Sequence, residues 1–223
     1  MSRNAELDEI TAIVRRTTAN LLIFNGMRGE TGAALRQACG DLNARVAVYV
    51  VDGTFANRML NCFLLATAAG MTLDWMDQVI AGLVAEQPTT VITSSVVQNL
   101  LIMSIAQDGR IIAATVYTSR DDVDATMFRM NNWFETIKDI IADTMSGPGY
   151  EAFITLAGAI TRHLTDSARP LPRMLYYNLA STMPGLLASQ FIYGDGSRSE
   201  ELAAENKVVH PLFMPRTLRG LSA

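Results

Sequence analysis

A chain of 223 residues is long enough for one full hydrophobic core, or for two small lobes joined by a hinge. Hydrophobic residues make up 49% and charged residues only 18%, below the roughly 25% of ordinary soluble domains, so much of the surface is expected to be covered. A net charge of −4, with Lys138 and Lys207 the only lysines, argues against a general nucleic-acid binder, because neutralising phosphates needs clustered cations.

From Ala5 to about Phe24, the apolar residues Leu7, Ile10, Ile13, Val14, Leu21 and Phe24 recur at spacings of three and four. Glu6, Asp8 and Glu9 come early and Arg15 and Arg16 later, as the helix macrodipole favours. Together these predict a helix closed by Gly26 and Gly29. A second helix begins near Thr31. In VAVYVVDGTF, from Val46 to Phe55, a strand competes, since β-branched residues favour extension and Asp52-Gly53 is a turn signal. Helical periodicity resumes on both sides, and helix is expected through Ala69. Met71 to Ala85 reads as an amphipathic helix ended by Pro88, and Thr89 to Val116 as another, kinked at Gly109. Ser119, Asp121 and Asp122 mark the start of a helix that ends before Gly147-Pro148-Gly149, and Tyr150 to Leu164 is a further one. From Ala168 onward stand five of the seven prolines, which predicts short helices divided by sharp turns.

Charge is sparse in the middle: Val46 to Ser119 holds only Asp52, Arg58, Asp74, Asp77, Glu86, Asp108 and Arg110. A helix that is neutral around its circumference needs cover on every side, so assembly with other chains, including copies of itself, is expected. The uncharged run from Gln87 to Gln107 has the length of a membrane span. Its proline, threonines, serines, asparagine and glutamines make it a poor one, and no span is expected. The N-terminal MSRNAELDEI lacks a basic region followed by an apolar stretch, so no signal peptide is expected.

Residues that could carry chemistry are few. Cys39 and Cys62 are isolated in sequence and lack CxxC spacing, which suits neither a zinc site nor a disulfide framework, and reduced cytoplasmic synthesis follows. Asp121, Asp122 and Asp124 lack the glycine and distal glutamate of a calcium loop and read as first-turn capping. His163 and His210 belong to no HExxH pattern, and Gly194-Asp195-Gly196 lacks the third glycine and the strand of a dinucleotide fingerprint. No catalytic residues, cofactor or metal are therefore expected. The methionines, among them Met59, Met76 and Met130, sit at core-type helical positions.

The run LPRMLYYNLASTMPGLLASQFIYGDGSRSEELAAENKVVHPLFMP is the specific part of the chain. Gly194 and Gly196 allow a tight turn, and Ser197 with Glu200 has the S-x-x-E spacing of a capping box for a helix through Glu205. Asn206 suits left-handed geometry at that helix's end, and His210-Pro211 forces an extended exit that lets Phe213 and Leu218 fold back on it. This run resembles the closing segment of the Mu-like phage DNA circularization family, in which a proline-initiated apolar helix leads through Tyr-Gly-Asp to a short acidic helix, Asn and His-Pro. It is also similar to the second half of a LysM-type module. The family usually has glycine where Leu212 and Arg216 stand.

The resemblance implies a mainly α protein: a helical bundle over 1–168, followed over 169–223 by a small LysM-like α/β appendage. It implies a non-enzymatic component of a contractile phage tail or baseplate in the virion, joined to hub, tube or tape-measure proteins. Tyr193, Asp195, Arg198, Leu202, Asn206, His210, Pro211 and Phe213 would form its docking surface. The family's name implies an alternative, a DNA-end-binding protein injected with the genome, for which Lys207, Arg216 and Arg219 supply a small basic tail.

Overall fold

The computed structural model describes residues 3–24, 28–142 and 147–222. In chain order the elements are α1 (Arg3–Ile23), α2 (Gly29–Val51), α3 (Phe55–Ala68), α4 (Leu73–Val84), α5 (Val91–Ala114), α6 (Arg120–Ile141) and α7 (Gly147–Ala168). Then follow β1 (Met174–Asn178), α8 (Gly185–Tyr193), a 3-10 turn (Gly196–Arg198), α9 (Ser199–Glu205) and β2 (Thr217–Leu221). The fold is thus mainly helical, with one small two-stranded sheet near the C-terminus among the described residues. These elements group into two compact units, Met1–Thr115 with Asn131–Thr161, and Val116–Met130 with Arg162–Ala223.

In the first unit, helix wins over strand at VAVYVV. Val46 and Tyr49 are buried three residues apart while Val48 and Val51 face out. A β-branched residue costs a helix roughly 0.7 kcal/mol at most, whereas burying a large apolar side chain returns about 1.5–3 kcal/mol. Asp52-Gly53 does act as a turn: Gly53 has φ +78°, and Asp52 Oδ1 accepts from the Thr54 N–H at 2.9 Å and its hydroxyl at 2.6 Å. The single helix expected through Ala69 is therefore two, α2 and α3. Gly29 opens α2 and does not close α1, and Gly26 lies outside the described residues.

The neutral stretch becomes α5, the most enclosed helix of this unit. Leu100, Leu101, Ile105 and Ile112 are buried, and so are Thr93, Gln98, Ser104, Gln107 and Asp108. Helices α1, α3 and α4 pack on it. Gln98 Nε2 donates to the Ile140 carbonyl at 3.3 Å, and the Thr67 hydroxyl donates to Gln107 Oε1 at 3.2 Å. The chain's own helices thus cover one side of α5, while Val91 and Ile92 at its start stay 75% and 53% exposed. Helix α5 runs through Gly109 without the expected kink; a Cβ there would stand 3.1 Å from Ile160 Cδ1, so glycine lets α7 approach closely. Two carboxylates fasten the α4–α5 connection to α1. Arg16 makes a two-toothed ion pair with Glu86 (2.6 and 2.7 Å), and Glu9 accepts from the Thr89 N–H and hydroxyl, which lower its pKa. No helix among the described residues is long and apolar enough to cross a membrane.

The second unit begins at a side-chain cap on α6: Ser119 Oγ accepts from the Asp122 N–H at 3.2 Å and donates to Asp122 Oδ2 at 2.6 Å. Asp121 has another task, accepting from the Met174 N–H at 2.6 Å. Beyond α7 the chain runs β1-α8-α9-β2, with β1 and β2 antiparallel and Tyr176 opposite Arg219. Its core is Leu179, Ala188, Leu202, Ala203, Met214 and Leu218.

Candidate docking surface

Helix α8 is the sequence GLLASQFIY, started by Pro184 and ended by Gly194 in the left-handed conformation with φ +70°. Its small residues Gly185, Ala188 and Ser189 are buried and Ile192 and Tyr193 pack partly on the core, while Leu186 is 67%, Leu187 54% and Phe191 78% exposed. The loop before β2 is stitched to the start of this helix. The Gly185 N–H donates to the Pro211 carbonyl at 2.6 Å, and Met214 bridges to Met183, its N–H donating to that carbonyl at 3.0 Å. A Cβ on Gly185 would lie 3.2 Å from the Pro211 carbonyl oxygen, so the close approach needs glycine. Leu212 (67%) and Phe213 (70%) are exposed on the stitched loop. Two joined segments thus present large apolar side chains to solvent, a pattern that marks interaction surfaces.

The turn after α8 is held by its own polar groups. Ser189 Oγ donates to the Asp195 carbonyl, and Gln190 bonds both the Gly194 carbonyl and the Gly196 N–H. Asp195, not Ser197, caps the 3-10 turn; its carboxylate accepts from the Ser197 N–H at 2.9 Å and hydroxyl at 2.8 Å, which hold its pKa below the usual range. The Arg198 guanidinium lies 3.9 Å from the Tyr193 ring centroid and pairs with both Glu201 oxygens, and the Tyr177 ring meets Tyr193 edge-on at 6.4 Å. The Tyr193 hydroxyl is buried against Gly220, and burial pushes its pKa up.

The eight residues expected to dock thus fall into two sets. Leu202 is fully buried in the core, Tyr193 and Arg198 stack on one another, and Asn206 is turned inward. Asn206 is not left-handed (φ −95°); the positive φ falls on Lys207 (+51°). Its amide is engaged with β2, Nδ2 donating to the Arg219 carbonyl at 2.7 Å and Oδ1 accepting from the Arg219 N–H at 2.9 Å. The other four, Asp195, His210, Pro211 and Phe213, are exposed. Leu218 does fold back into the core, but Phe213 does not. Leu186, Leu187, Phe191 and Leu212 were not among those eight, although the absence of any charge in GLLASQFIY was a usable signal.

Elsewhere, the chemistry is quiet. Cys39 and Cys62, separate in sequence, meet between α2 and α3, both fully buried. The two thiols shift one another in opposite directions: contact with Cys62, and burial, push the Cys39 thiol up, and contact with Cys39 pulls that of Cys62 down. Among the described residues no group of three or more His, Cys, Asp or Glu side chains stands where it could hold a metal ion. No protein-family model matches the chain, and no curated protein matches it.

Proposed function

We propose that this chain is a structural component of a contractile phage tail or baseplate, which links tube or tape measure to the hub by protein–protein contacts made through its C-terminal unit. The observation that carries the docking role is the apolar surface of α8 and its stitched loop, with Leu186, Phe191 and Phe213 in water. A polar chain gains nothing from exposing three such side chains, whereas a partner that covers them gains about 25 cal/mol per Å² of apolar area. The tail assignment draws on the Tyr-Gly-Asp to His-Pro run, and the β-α-α-β order with an antiparallel strand pair agrees with a LysM-like module.

The DNA-end reading draws less support. Of Lys207, Arg216 and Arg219, the last is turned to Glu205, its Nε donating to that residue's carbonyl at 2.7 Å. Two remaining cations make few phosphate contacts.

Co-purification with tail proteins decides between these readings. Phe191→Ser with Phe213→Ser should remove the chain from assembled tails while it stays folded. Normal tails in virions lacking the chain would end the proposal, and salt-sensitive binding to duplex ends would replace it with the second.

A further inference from the structure

The two edges of the β1-β2 sheet are treated differently. The bonds Leu179 N–H to Arg216 carbonyl and Ser222 N–H to Arg173 carbonyl, both 2.7 Å, fix which residues face across the ladder. By the alternation of an antiparallel pair, Leu175 and Tyr177 turn their N–H and C=O groups toward β2, and Met174, Tyr176 and Asn178 turn theirs away. On the β2 side the outward groups of Arg219 are both taken by the Asn206 amide, which acts as a one-residue strand. On the β1 side Asp121 takes only the Met174 N–H. The Met174 C=O and both the N–H and C=O groups of Tyr176 and Asn178 have no partner among the described residues, and Tyr176 is 74% exposed. The strand MLYYN carries no charge, proline or bulge of the kind that usually guards an edge.

We propose that β1 is a strand-addition site, and that its occupant is the β1 of a second copy, antiparallel about a two-fold axis at Tyr176. Asp121 holds the Met174 N–H at the N-terminal end, so the open window runs from the Met174 C=O to Asn178. A longer partner strand runs into Asp121. A two-fold at Tyr176 sets each Asn178 N–H against the other copy's Met174 C=O and each Tyr176 against its twin, and leaves the Asn178 C=O to solvent, since Asp121 holds the Met174 N–H opposite it. The tyrosines then form a cross-strand aromatic pair, and no like charges meet. The result is a continuous sheet in the order β2-β1-β1-β2. This inference stands apart from the tail reading, since it uses a different surface and a readout that needs no phage component.

The test is sedimentation equilibrium of the full chain over a concentration series, with residue-resolved amide exchange. A dimer should form, with exchange at Tyr176 and Asn178 slowed by at least about tenfold as it does. Tyr176→Pro removes an N–H that the β1-β2 ladder does not use, so it should abolish the dimer while Tyr177 and Leu218 stay protected. Should that proline disturb β1, Tyr176→Lys decides, because it keeps the backbone and sets two cations face to face; its dimer should weaken and recover with salt. A wild-type chain that stays monomeric throughout overturns the proposal. So does a dimer that survives both substitutions, or Tyr176 protection that appears only when an extended segment of another protein is added.

Discussion

Helices α5 and α8 have similar texture in sequence and opposite fates. The first is 24 residues long with Asp108 and Arg110 its only charges; the second is nine residues with none. Both lack the polar face of an ordinary surface helix. Helix α5 has enough turns to meet α1, α3 and α4 along one side, where even its glutamines are buried. Helix α8 meets its own core with Gly185, Ala188, Ser189 and the partly buried Ile192 and Tyr193, and leaves Leu186, Leu187 and Phe191 largely exposed. A scarcity of charge therefore goes with an enclosed helix in one case and an exposed apolar one in the other. Only the tertiary contacts divide an internal strut from a docking face.

The strongest way to break this comparison is to hollow out α5. Leu101 is fully buried, and Leu101→Ala should cost about 2–5 kcal/mol in denaturant unfolding. A cost below about 1 kcal/mol would mean that the chain does not enclose α5, and the need for outside cover would return.

Next in size is Gly220 on β2, where a Cβ would collide with the Tyr193 hydroxyl and lie 3.2 Å from Leu202 Cδ1. Gly220→Ala should destabilise the β-α-α-β unit by about 1–3 kcal/mol through overpacking. Tyr193→Phe removes the offending oxygen, so the double variant should recover part of that loss. Purely additive costs in the double-mutant cycle would show that the hydroxyl does not set the glycine requirement.

These contacts mark the limit of what the sequence makes legible. Helices α1, α4, α6 and α7 were readable because three-and-four spacing with capping residues is local information. The cap at Ser119 stands at the helix start that the serine and the aspartates mark. The glycine at 109 was misread as a kink because its reason, Ile160, is fifty residues away. Strand β1 left no residue-level signal, since MLYYN becomes a strand only by pairing with TLRGL near the chain's other end. On the docking surface, Phe213 and His210 were picked out by their motif, but the same motif also drew in Leu202 and Asn206, whose tasks are internal. A motif preserves residues for folding as well as for binding, and it does not label them. Leu186 and Phe191 were passed over because apolar residues on a helix are assumed to point inward.

A smaller effect is expected at Asn206, which bonds both backbone groups of Arg219 and also the Leu202 carbonyl at 2.7 Å. Partly exposed hydrogen bonds contribute about 0.5–1.5 kcal/mol each, and water replaces some of them, so Asn206→Ala should cost about 1–2 kcal/mol. It should also expose the β2 edge, seen as faster amide exchange at Arg219. Unchanged exchange there would mean that the amide does not guard that edge.

The smallest effect on stability is the one that sharpens the comparison most. Phe191→Ser and Phe213→Ser replace side chains that are 78% and 70% exposed, so each should move the unfolding free energy by no more than about 0.5 kcal/mol. An equivalent change at Leu101 removes a packed side chain and strands a hydroxyl in the core, at several times that cost. Near-neutral stability at α8, with tail binding lost, is what separates a helix whose cover is another protein from one whose cover is its own chain. A loss above about 2 kcal/mol at Phe191 would show that the isolated chain already buries it, and the two helices would then differ only in length.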